Sequence, residues 1–77
     1  MNYDLAMMAL EGLSISPITI DVKGKVIELR GEPAGYKELA RLLLLISGEG
    51  VDRTEEIELT PGVHLGEDSH SVRIRLF

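Results

Sequence analysis

The sequence predicts a two-layer α+β fold, in which an antiparallel sheet of four to five strands carries one main helix on one face, in the order ββαββ. Four segments alternate apolar and polar residues with a period of two, and short turns join neighbouring segments. A leucine-rich amphipathic stretch lies between the two strand pairs. The 77 residues suffice for one domain, which we expect to span residues 1–77.

The N-terminal segment, residues 1–12, is the element whose structure the pattern leaves open between helix and extended chain. Residues 1–10 are rich in helix-forming types, and Gly12 is placed to end a helix as its C-terminal cap. A short helix is therefore the first expectation for this segment.

The first strand pair is predicted over residues 15–22 and 25–30. Apolar and polar positions alternate in the first of these segments, with Ile18, Ile20 and Val22 against Thr19 and Asp21. Gly24 can adopt the positive φ that a tight turn requires. The two segments therefore form a hairpin with one apolar face.

The main helix is expected to begin at Pro33, whose fixed φ suits a first helical turn, and to end at Ser47 or Gly48. At 100° per residue, one apolar stripe should cover the sheet, formed by Tyr36, Leu39, Ala40, Leu43 and Ile46. Leu45 falls on the opposite side. Either the N-terminal segment packs over Leu45 through Leu5 and Met8, which we favour, or Leu45 is an exposed anchor for another chain.

The second strand pair is predicted over residues 55–60 and 70–77, with an extra short strand at 63–65. Pro61 and Gly62 fit the central pair of a type II turn. Two glutamates of the first segment can pair across the strands with two arginines of the last: Glu56 and Glu58 with Arg73 and Arg75.

Composition excludes several classes of function. The absence of cysteine excludes disulfides, thiolate catalysis and Cys-ligated metal sites. A net charge of −5 and few aromatic residues argue against nucleic acid and anionic membranes as partners. Glycine-rich phosphate-binding motifs are missing, so we expect no cofactor. Without a membrane-spanning apolar run or the features of a signal peptide, we expect a cytoplasmic protein.

An acidic run over residues 49–58 is the candidate partner-binding surface. Its carboxylates are Glu49, Asp52, Glu55, Glu56 and Glu58. Such a run is more commonly a solvated face than a binding site, so both interpretations stay open. If it binds a partner, Tyr36 and Leu45 are the expected apolar anchors.

A second cluster lies around a predicted turn and has the chemistry of metal ligands or a general base: His64, Glu67, Asp68 and His70. The spacing matches no zinc signature, and polar turns collect these residues by default. Ser69 and Ser71 supply hydroxyls beside them, but no oxyanion hole is evident. We therefore expect no catalytic residue, and regard His64, Asp68 and His70 as weak metal candidates.

The sequence resembles immunity protein family 32 of bacterial polymorphic toxin systems. The resemblance rests on a strand followed by the helix start at 31–35, the leucine-rich helix, the Val-His-Leu segment at 63–65 and the closing strand. It covers about two-thirds of the chain, from Val26 to the C-terminus. The resemblance implies a small α+β protein that binds and neutralises a toxin and has no catalytic activity.

Three hypotheses follow. The leading one is a non-catalytic cytoplasmic protein that occludes a partner protein, in particular a basic toxin, with its acidic surface. The second is a small structural domain that forms a homodimer through Leu44, Leu45 and the neighbourhood of Met7 and Met8. The third is a metal or small-molecule site at the turn from His64 to His70.

Overall fold

The computed structural model describes residues 2–48, 51 and 54–76. Within them the chain forms two α-helices and four β-strands. In chain order these are α1 (Tyr3–Ile15), β1 (Thr19–Lys23), β2 (Val26–Arg30), α2 (Pro33–Ile46), β3 (Glu56–Leu59) and β4 (Val72–Arg75).

The predicted single sheet under one main helix is wrong. Two separate two-stranded antiparallel sheets are present, β1 with β2 and β3 with β4, and α1 is a second full helix. Period-two alternation identifies strands and their apolar faces, but it carries no information on which strand edges pair. Residues 63–65, predicted as a strand, lie in a turn, from which Leu65 makes only isolated bridges to Ile18 and Pro61.

Helix α1 begins after the N-cap Asn2 and continues past the predicted segment to Ile15, because its buried face continues to Leu13. The Asn2 side chain accepts a hydrogen bond from the Leu5 N–H at 3.1 Å. The buried face consists of Ala6, Ala9 and Leu13, which pack in the core with α2. Gly12 lies inside the helix, so its predicted role as a C-terminal cap is wrong.

Gly12 instead lets the two helices approach closely. A Cβ atom added at this position would lie 2.5 Å from Cγ of Glu38 in α2. Glu38 is held there by an ion pair with Arg41 at 3.3 Å. The absence of a side chain at position 12 is therefore what leaves room for the Glu38 side chain beside α1.

Helix α2 begins at Pro33, as the sequence predicted, and ends at Ile46 with Ser47 as the C-cap, slightly before the predicted end at Ser47 or Gly48. Its buried face differs from the predicted stripe, since Leu42 is fully buried whereas Leu43 is 45% exposed. The reason is that α1 as well as the sheets covers α2, which shifts the core-facing side of the helix. Leu45 is partly buried against the core, and it lines one groove together with Leu5 and Met8.

One hydrophobic core joins both helices and both hairpins. Its fully buried members come from four parts of the chain: Leu13, Ile18, Leu42 and Leu59. The two turns that need a left-handed residue have glycine there, with φ of 61° at Gly24 and 78° at Gly62. None of the described helices combines the length and apolar character of a membrane span.

Candidate partner-binding cleft

An apolar cleft of about 460 Å³ opens between the two hairpins above α2. We call it the hairpin cleft. Aliphatic side chains from the first hairpin, α2 and β4 line it: Ile20, Val22, Ile27, Leu29, Leu39, Leu43, Val72 and Ile74. Among the described residues, the polar ones that line it are His70, Ser71 and Arg73.

The antiparallel registers explain why the aliphatic residues line the hairpin cleft together. In the first hairpin Ile20 lies opposite Leu29 and Val22 opposite Ile27, so all four side chains share one face. In the second hairpin Ile57 lies opposite Ile74 and Leu59 opposite Val72. The sequence-predicted alternation is thus correct within each hairpin.

The two hairpins are joined at one end of the cleft by Ser69, which is buried. The Ile20 N–H donates to Ser69 Oγ at 2.8 Å, and the His70 N–H donates to the Ile20 carbonyl at 2.9 Å. Ser69 Oγ in turn lies 2.9 Å from the His70 carbonyl, to which it can donate. Here the Ser69 hydroxyl, and not a backbone carbonyl, accepts from the Ile20 N–H. The ladder of backbone hydrogen bonds between the two hairpins therefore stops at this point.

Beyond His70, no hydrogen bond among the described residues joins β1 to β4. Both backbone groups of Ile20 point toward the second hairpin, and hydrogen-bonding directions repeat every two residues along a strand. The N–H and C=O of Val22 therefore point the same way, into the gap. Within the described part of the chain, Val22 is the free edge of β1.

Much of the cleft wall is accessible to solvent. Ile27 is 66% exposed, Val22 52% and Leu43 45%. These three side chains form an exposed aliphatic wall, and the groove lined by Leu5, Met8 and Leu44 is exposed to a similar degree.

The predicted acidic surface has structural neighbours of its own. The Tyr3 hydroxyl donates to Glu55 Oε1 at 2.9 Å, and Arg73 pairs with Glu58 at 3.3 Å. Glu56 lies opposite Arg75 in the β3–β4 register, as the sequence suggested. Glu49 and Asp52 lie outside the described residues. Of the described carboxylates, Glu56 and Glu58 lie in β3 and Glu55 directly precedes it, and none of the three lines the hairpin cleft.

The two predicted apolar anchors lie in different places. The Tyr36 hydroxyl donates to the Leu29 carbonyl at 3.1 Å, which fixes the first turn of α2 to β2. Leu45 lines the second groove with Leu5, Met8 and Leu44, which we call the helix groove. The structure therefore does not bring Tyr36, Leu45 and the acidic run into one site.

The predicted metal candidates form no site in the described residues. His64 Nδ1 accepts a hydrogen bond from the Thr60 N–H at 3.2 Å and so supports the turn after β3. His70 is exposed, and the part of the chain described here holds no group of three acidic or histidine side chains placed to bind one ion. Ser69, considered as a nucleophile, is the buried hydroxyl that joins the hairpins.

Comparisons with protein-family models, with curated proteins and with solved structures find no match for this chain. The resemblance to immunity protein family 32 stays a prediction. Sequence reasoning missed the hairpin cleft because it assigned its residues to the covered face of one sheet.

Proposed function

We propose that this chain is a non-catalytic protein-binding domain whose partner docks in the hairpin cleft. The observation that carries the proposal is the exposed aliphatic wall formed by Val22, Ile27 and Leu43. Burying such side chains contributes about 25 cal/mol for each Å² removed from water, so the exposed wall is a source of binding free energy.

The net charge of −5 favours a basic partner, because attraction accelerates the encounter of oppositely charged proteins. Neutralisation of a basic toxin in the cytoplasm is the specific form of this function that the resemblance implies. In that form, the domain would act by covering a surface of the toxin, and its own residues would do no chemistry.

Site-specific photo-crosslinking tests the proposal. The crosslinking residue p-benzoylphenylalanine would replace Ile27 or Leu43 in the cleft, and separately Leu44 in the helix groove and Ile15 on α1. Leu44 and Ile15 are suitable controls because both are aliphatic and highly exposed, at 71% and 84%. Each variant would be irradiated in cells of the source organism, and the captured protein would be purified and recombined with the unmodified chain.

The proposal predicts one captured protein from both cleft positions, absent from both controls, that forms a defined complex on recombination. Capture of a second copy of this chain from Leu44 alone would overturn the proposal and support the homodimer hypothesis. Absence of any product from the cleft positions would also overturn it.

A further inference from the structure

The helix groove combines an open apolar floor with charged edges. It has a volume of about 320 Å³ and is lined by Leu5 and Met8 of α1 and by Arg41, Leu44 and Leu45 of α2. Met8 is 60% exposed and Leu44 71%. Covering the groove would therefore remove apolar side chains of both helices from water.

The α1 edge of the groove is acidic. At 100° per residue, Asp4 and Glu11 lie within about 60° of Met8 around the helix, on its side away from the core. Both are exposed, and neither has an ion pair among the described residues. Helix α1 contains no basic residue, so no cation offsets these two charges along this edge.

The α2 edge of the groove is basic. Lys37 lies one turn before Arg41 and within about 20° of Leu44 around the helix. Arg41 pairs with Glu38, but the Arg41 side chain is 64% exposed whereas that of Glu38 is only 17% exposed. Lys37 is exposed and has no ion pair in the described part of the chain. The charged groups that face solvent on this edge are therefore the two cations.

The two helices run antiparallel along the groove. Gly12 of α1 lies beside Glu38 of α2, whereas earlier residues of α1 line the groove with later residues of α2. Glu11 and Lys37, each next in sequence to one of these two neighbours, consequently lie at the same level along the groove. Opposite charges thus lie on the two edges at one level.

We propose that a second copy of this chain covers the helix groove, in a dimer whose two-fold axis runs along the groove. Rotation about this axis keeps the level of every residue and exchanges the two edges, so α1 of each copy lies over α2 of the other. Glu11 of each copy then meets Lys37 of the other, and Met8 packs toward Leu44. An axis across the groove would place α1 on α1 and acid on acid, so the charges select the axis along it.

The net charge of −5 on each copy opposes association at long range. At physiological ionic strength this repulsion is screened within about 8 Å, whereas pairs in contact at an interface are screened less. The dimer is therefore expected to be weak, to dissociate on dilution and to depend on the charges at the groove edges.

This inference is independent of the proposed function. The helix groove and the hairpin cleft lie on opposite sides of α2, since Leu45 of the groove and Leu43 of the cleft are about 160° apart around the helix. A dimer through the groove leaves the cleft open. In the crosslinking experiment, a second copy captured at Leu44 is then expected beside a different protein captured at the cleft positions.

The test measures the mass of the full chain by sedimentation equilibrium, from micromolar to submillimolar concentration. Glu11→Lys and Lys37→Glu reverse the two charges of the proposed contact, singly and together in one chain. Glu67→Lys and Lys25→Glu are the matched controls, because they make the same changes at exposed positions outside the groove. Circular dichroism checks that every variant is folded.

We expect the unmodified chain to approach twice its monomer mass at the highest concentration. Each single reversal should weaken the dimer at least tenfold, because like charges would face each other at both contacts. An equimolar mixture of Glu11→Lys and Lys37→Glu should restore association, and so should the double variant, because opposite charges then meet again at both contacts. The control variants should stay within twofold of the unmodified chain.

Several outcomes would overturn the inference. A chain that stays monomeric at the highest concentration would exclude the dimer, and a dimer that survives Leu44→Asp would place the interface elsewhere. Stronger association of Glu11→Lys than of the unmodified chain would show that net charge, or α1 lying on α1, governs the contact. A mixture of the two single variants that stays monomeric would exclude the contact between Glu11 and Lys37.

Discussion

At the scale of single residues, Ser69 is the side chain on which the relative placement of the two hairpins depends most directly. Its hydroxyl accepts from the buried Ile20 N–H. We expect Ser69→Ala to lower the free energy of unfolding by about 1–3 kcal/mol, because a buried N–H would lose its acceptor. Ser71→Ala, at the exposed neighbouring serine, should change it by less than about 0.5 kcal/mol. Urea unfolding compares the two, and equal effects would contradict the role of Ser69.

The close contact between Gly12 of α1 and the Glu38 side chain of α2 can also be tested at the scale of single residues. Alanine at a helix interior is normally favoured over glycine by about 1 kcal/mol, but here its Cβ would meet the Glu38 side chain. We expect Gly12→Ala to destabilise the protein in the presence of Glu38 and to stabilise it in the Glu38→Ala background. The coupling from a double-mutant cycle should be about 1–3 kcal/mol. The same effect of Gly12→Ala in both backgrounds would show that the side chains do not compete for space.

At the scale of elements, neighbouring leucines of α2 lie in different environments, some in the core and some on the surface. Leu42 is fully buried, whereas Leu44 is 71% exposed. We expect Leu42→Ala to cost about 2–5 kcal/mol of unfolding free energy and Leu44→Ala less than about 0.5 kcal/mol. Thermal and urea unfolding measure both. A large loss at Leu44 in a dilute sample would indicate that the helix groove is buried in an oligomer.

The elements themselves could largely be predicted from the sequence, because their signals are local. Pro33 starts α2, Gly24 makes the first turn, and alternation identifies each strand. The placement of the two hairpins beside each other depends on contacts between residues far apart in the chain, and there the Ser69 hydroxyl takes the place of a backbone partner. Neither that substitution nor the packing of α1 against α2 leaves a periodic signal, so the hairpin cleft could not be predicted.

At the scale of the whole molecule, the net charge of −5 should govern the rate of association with a basic partner. Changing Glu55, Glu56 and Glu58 to glutamine removes three negative charges and should slow association and weaken its dependence on salt. Changing Lys25 and Lys37 to glutamine should do the opposite. Stopped-flow association at low and high salt measures both variants. If both sets of substitutions left the association rates unchanged, the prediction of electrostatic steering would be contradicted.

The most direct measurement is the affinity of the purified partner for two variants, Ile27→Asp in the hairpin cleft and Leu44→Asp in the helix groove. Both replace an exposed aliphatic side chain with a carboxylate. Because docking in the cleft would desolvate the new charge at position 27, we expect Ile27→Asp to weaken binding at least tenfold and Leu44→Asp to leave it unchanged. Weaker binding by Leu44→Asp, with Ile27→Asp unaffected, would contradict the assignment of the hairpin cleft as the binding site.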